Sequence, residues 1–155
     1  MGKSKFKLTD YKDSFAELVA STDQKTLAVW AIECTERVLP YFEERYPEDG
    51  RPRQAIETLQ TWLDTGVFKM AVIRRASLSA HAAAREVGQD DSARSAARSA
   101  GQCVATAHVP AHSMGAAIYA LQAIHRATNA DAGAVVTELQ WQTGRLLELS
   151  QLAAR

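Results

Sequence analysis

Apolar residues recur along most of this chain at three- and four-residue spacing, the period of an α-helix that buries one face. The clearest stripe is Leu27, Trp30, Ala31, Cys34 and Val38. Ser21-Thr22-Asp23 ahead of it offers capping oxygens, and Pro40 ends or kinks the helix near Leu39. A second stripe, Ile56, Leu59, Trp62 and Leu63, follows Pro52, a residue suited to a first helical turn. It stops at Gly66, a natural C′ residue. Residues 47–50 read as a loop. Further helices are expected over 67–87, ended by Gly88, and from an Asp90 cap to about His108. Another is opened or kinked by Pro110 and runs to about Thr128. The last starts at Asn129 or Asp131 and reaches about Leu152. With a short helix over 10–20, the pattern predicts an all-α bundle of six or seven helices. Residues 1–155 form one domain in this reading, with 1–20 as a loosely attached N-terminal segment.

Composition sharpens this picture. The 155 residues include 28 alanines, the best helix former and a poor strand former. Charged side chains fall from 24 in residues 1–75 to 12 in 76–155, while alanines rise from 6 to 22. Burial explains that shift, so 67–128 is expected to supply the central helices, wrapped by the charged early ones. Small side chains let helix axes approach the short end of the usual range of about 8–10 Å.

Lysine plus arginine balances aspartate plus glutamate at 18 each, giving zero formal charge. That argues against a dedicated nucleic-acid or anionic-membrane binder, whose affinity rests on clustered positive charge. The longest uncharged apolar stretch, about 114–121, is far too short to span a bilayer. The basic start lacks the apolar core of a signal peptide. A cytoplasmic location is expected, with Cys34 and Cys103 as reduced, buried thiols.

Chemistry-bearing residues are few. His108 and His112 are four apart and would project together if a helix ran through Val109-Pro110, but the metalloprotease Glu is absent and Pro110 lies between them. A third metal ligand would come from His81, or from Glu33, Asp64 or Glu138. Packing in an Ala-rich core is the favoured role for these histidines, and no cofactor or metal is expected. His81 and Arg85 are also four apart. An Arg on so Ala-rich a helix should meet an acid from another helix, with Glu33 and Glu36 as expected partners. Arg94 and Arg98 read as one solvated helix face. Neither cysteine has a motif that would lower its pKa, no Gly-x-Ser-x-Gly occurs, and Gly2-Lys3-Ser4 is a chance fragment of a phosphate loop. Arg51-Pro52-Arg53, after Glu48-Asp49, reads as a salt-bridged helix start or as an Arg patch facing a partner.

Several strings together carry a resemblance. They are Leu27-Ala28-Val29-Trp30-Ala31 with Cys34 and Leu39-Pro40, then Arg51-Pro52-Arg53-Gln54-Ala55-Ile56-Glu57 with Trp62. Ala80-His81-Ala82-Ala83-Ala84-Arg85 follows, then Ala105-Thr106-Ala107-His108-Val109 with His112 and Tyr119, and finally Trp141-Gln142. From about residue 25 to 145 the chain resembles the bacterial putative immunity protein family, associated with polymorphic toxin systems. Ser77-Leu78-Ser79 and Leu146-Leu147 depart from the family pattern. The resemblance implies an all-helical, non-enzymatic cytoplasmic protein that binds and neutralises a cognate toxin, and it carries over no catalytic residue.

Two sets of residues are therefore singled out. Glu33, Cys34, His81, Arg85, His108 and His112 form a candidate polar cluster or pocket. Glu43, Glu44, Arg45, Glu48, Arg51 and Arg53 form a candidate partner surface, because an inhibitor's variable contact should lie outside its Ala-rich scaffold. The alternative function is a helical metal- or small-ligand-binding protein, or a metalloenzyme, using His81, His108 and His112. A homodimer joined through Ala-rich faces is a further expectation.

Overall fold

Eight α-helices follow a 3-10 turn at Leu8–Tyr11. They are α1 (Lys12–Ala20), α2 (Gln24–Glu36), α3 (Pro40–Glu43), α4 (Arg51–Thr65), α5 (Met70–Glu86), α6 (Ser92–Ala105), α7 (His112–Ala127) and α8 (Ala132–Ala153). The computed structural model describes residues 5–155, and no strand occurs among them; Gly2-Lys3-Ser4 lies outside the described residues. The fold is all-α, with eight helices among the described residues rather than six or seven. The extra one is the single turn α3, which Pro40 opens at N1.

Local chemistry sets the helix ends. Asp23 accepts from Thr26 N at 3.0 Å to start α2, and Asp131 accepts from Gly133 N at 2.9 Å to start α8. For α6 the cap is Asp91, which accepts from Arg94 N at 3.1 Å. Asp90, the expected cap, instead pairs with the Arg94 side chain at 2.6 Å. Gly66 ends α4 at φ 69°, a left-handed conformation that glycine adopts without steric cost. Two expected helices are shorter than their pattern. α5 begins at Met70 rather than Val67, and α6 stops at Ala105 rather than near His108.

α6 and α7 make the most extensive helix pair, followed by α5 and α6. α6 is buried on nearly every side, at Ala93, Ser95, Ala96, Ala97, Ser99, Ala100, Gly101, Cys103 and Val104. Its small side chains let neighbouring backbones approach, and Ser99 Oγ donates to Ala116 O of α7 at 2.8 Å. The core has two lobes. One packs Leu39, Phe42, Ile56, Leu59 and Trp62 against the alanines of α5 and α6. The other gathers Phe15, Leu27, Trp30, Leu121, Val135 and Leu146.

Two expectations about packing are corrected. The segment from Lys12 onward is not loosely attached. Phe15 is fully buried and meets the Trp30 ring edge-on at 5.5 Å, a contact that anchors α1 through aromatic burial. Nor is all of 67–128 central. α6 and α7 are, but α5 leaves one side in solvent, with Val72 and Leu78 exposed.

Candidate functional site

No helix runs through Val109-Pro110, so the condition for His108 and His112 to project together is not met. α6 ends before His108 and α7 begins at His112, with Pro110 in the turn between. His108 is exposed and stacks on Phe68, ring centroids 6.2 Å apart. His112 Nδ1 donates to Gln102 Oε1 at 2.8 Å, and burial followed by the nearby His108 lowers its pKa. His81 stands above Gly101 of α6, and its Nδ1 lies 2.9 Å from Arg98 Nη1. A guanidinium only donates, so Nδ1 accepts and the neutral ring carries its proton on Nε2. Burial, then Arg98, Arg85 and His112, push the His81 pKa down to about 4. His81 and His112 are thus close enough to interact. Among the described residues, however, no group of three or more His, Cys, Asp or Glu is arranged to hold a metal ion.

The acids expected opposite Arg85 face elsewhere. Glu33 forms a two-bond pair with Arg145 of α8, at 2.9 and 3.0 Å. Glu36 lies 3.6 Å from Arg53. Arg85 itself is exposed on the outer side of α5. Cys34 is fully buried in the second lobe, and burial holds its thiol pKa well above the usual value. Cys103 is likewise buried, its pKa pushed up to about 12, and both cysteines are free. The candidate polar cluster is therefore divided: His81 feels Arg85 and His112, and His112 feels His108, whereas Glu33 pairs with Arg145 and Cys34 lies in the second lobe.

A further set of polar contacts ties α2 and the residue that follows it to α8. Arg37 donates twice to Glu138, both bonds 2.8 Å, and its guanidinium lies 3.9 Å over the Trp141 ring. Glu138 is almost fully buried. Trp30 Nε1 donates to Gln142 O at 2.9 Å, and Gln142 Nε2 donates to Ala117 O at 2.9 Å. Sequence reasoning noticed Trp141-Gln142 as part of a resemblance and missed its contact with Arg37. Glu138 at i−3 from Trp141 was the available signal, since those two positions share a helix face.

Most of the candidate partner surface is tied up internally. Glu43 accepts from Arg53 at 2.7 and 3.1 Å. Arg45 pairs with Asp91. Arg51 binds Asp49 at 2.7 Å and also pairs with Glu86. These contacts clasp the 44–50 loop and the start of α4 to the end of α5 and the start of α6. Glu44 and Glu48 remain exposed.

A different surface stands out at the α4–α5 corner. Every residue from Asp64 to Val72 is exposed. The apolar members Val67, Phe68, Met70 and Val72 are 58%, 42%, 43% and 44% exposed. A cavity of about 430 Å³ opens there between Trp62, Val67, Val72 and Ile73. Sequence periodicity assigned this run to a helix start and missed it as a surface. No helix of the described residues is long and apolar enough to cross a membrane.

A family model described as Imm-5 like putative immunity protein matches residues 17–149. No curated protein matches the chain, and no solved structure does.

Proposed function

Because the chain belongs to the Imm-5 like putative immunity protein family, we propose that it binds and neutralises a cognate bacterial toxin as a non-enzymatic, cytoplasmic protein. Neutralisation proceeds by covering the toxin's working surface through a protein–protein interface. The observation that carries this reading, beyond membership, is the exposed apolar corner at Val67, Phe68, Met70 and Val72. Contiguous exposed apolar residues rimmed by polar ones are typical of partner-binding surfaces. Phe68 and Met70 are also residue types enriched at interfaces.

The charged stretch at Glu43, Glu44, Arg45, Glu48, Arg51 and Arg53 enters this reading as a rim. Glu44 and Glu48 are its members outside the ion pairs. His81 and His112 are assigned a packing and electrostatic role.

Co-expression with toxin domains encoded in the same genome tests the proposal. Growth should be restored against one of them, and the two proteins should co-purify as a stoichiometric complex. Rescue without a complex would point to an enzymatic antidote. Absence of rescue against every toxin domain would remove the neutralising role. Phe68→Ser should break the complex, and Glu44→Arg with Glu48→Arg should weaken it.

A further inference from the structure

The neutral net charge of this chain conceals a one-sided helix. Between Asp64 and Glu86 there is no Asp or Glu, yet Lys69, Arg74, Arg75 and Arg85 all fall in that interval. All four are exposed. None of the ion pairs among the described residues includes them. The neighbouring carboxylates, Asp49 and Glu86, are both engaged by Arg51. Arg75, Leu78, Ala82 and Arg85 succeed one another at helical spacing and share the outward face of α5.

A shallow groove runs along this face. Arg51, Arg74, Arg75 and Arg85 line it, with Leu78 and Ala82 between them, and no carboxylate contributes. Leu78 is 55% exposed at its centre. Adjacent guanidinium groups repel one another, and an exposed leucine among them gains nothing from water. A partner that supplied carboxylates and one aliphatic side chain would relieve both.

We propose that the outward face of α5 docks an acidic, amphipathic segment of a protein partner. Its carboxylates meet Arg74, Arg75 and Arg85, and its apolar side chain covers Leu78. This inference rests on the neutralisation reading, in which that partner is the toxin. A second copy of this chain fits poorly, because two-fold pairing of α5 would set guanidinium against guanidinium. The central leucine favours a protein over a polyphosphate, which would contact the arginines alone.

The test is an NMR titration of the isotope-labelled full chain with three probes. They are a synthetic Glu/Leu amphipathic helical peptide, its Gln-for-Glu analogue and a short DNA duplex. The Glu/Leu peptide should shift α5 amides and bind roughly tenfold tighter than the Gln analogue, with affinity falling steeply as salt rises. Arg75→Glu with Arg85→Glu should weaken it about tenfold or more, Leu78→Ser should weaken it severalfold, and the control Lys25→Glu on α2 should leave it within about twofold. Circular dichroism confirms that each variant is folded. Equal binding of the Gln analogue, undisturbed α5 amides, retained binding in the double reversal or tighter binding of the duplex would overturn the proposal. Growth rescue separates the two readings. If the double reversal still neutralises the toxin, the docking face is wrong and neutralisation stands. If the unaltered chain neutralises no toxin, that reading fails, and the peptide titration still decides what α5 binds.

Discussion

Gly101 of α6 lies directly beneath the imidazole of His81 on α5: a Cβ placed on Gly101 would sit 2.5 Å from His81 Nε2. No real Cβ contact is that short, so an alanine here would force the His81 ring aside, against its bond to Arg98. Gly101→Ala should therefore destabilise the fold by about 1–3 kcal/mol, as an overpacked contact does. In a His81→Ala background the same substitution should cost much less. A double-mutant cycle of thermal melts reads the difference, and full additivity would show that the two residues are not in contact.

His81 also gives the fold a pH response. Its pKa falls from the ordinary 6.5 to about 4 on folding, first through burial and then through Arg98, Arg85 and His112. Below pH 6.5 the unfolded chain binds the proton that the folded chain refuses, so stability rises with pH in this window. The His81 contribution is complete above pH 6.5 and is lost as pH falls through 4. His81→Asn should flatten the melting temperature between pH 6.5 and 4, relative to the unaltered protein. An unchanged slope would place the response elsewhere.

Arg37 is the half-exposed partner of the buried Glu138 carboxylate. Removing it leaves a buried charge unpaired, and it also uncovers Trp141. Arg37→Ala should cost about 2–3 kcal/mol, somewhat below a fully buried pair because water reaches the guanidinium. Glu138→Gln in that background should recover part of the loss. Urea melts at neutral pH provide the measurement.

Cys34 and Cys103 should be chemically silent. Both are fully buried, and burial raises both thiol pKa values. Thiolate is the reactive species, so alkylation at pH 8 should track global unfolding rather than proceed in the native state. Labelling of either thiol at a native-state rate well above unfolding would contradict the packing of α2 against α6.

The ion pairs near α4 separate two kinds of surface acid. Glu43→Arg breaks the Glu43–Arg53 pair and should cost about 0.5–1 kcal/mol, the scale of an exposed bridge. Glu44→Arg and Glu48→Arg should leave the melting temperature unchanged, since both side chains are exposed. Reduced complex formation in these two variants would then report contact with the partner and not damage to the fold.

The sequence by itself determined the helical class, the family and most of the helix ends. These depend on neighbours a few residues apart: the stripe from Leu27 to Val38, the Asp23 cap, Pro52 in a first turn, Gly66 at a C′ position. Failures began where local signals competed. Asp90 and Asp91 are equally good caps by type, and the chain used Asp91. The four-residue spacing of His108 and His112 held no meaning once the helix stopped at Ala105. Only the tertiary structure decided which charges meet. Glu33 faces Arg145 rather than Arg85, Arg37 finds Glu138, and the arginines of α5 form no ion pair among the described residues. Periodicity tells which side of a helix is buried. It does not tell which helix lies opposite, and the pairing of charges depends on that distance.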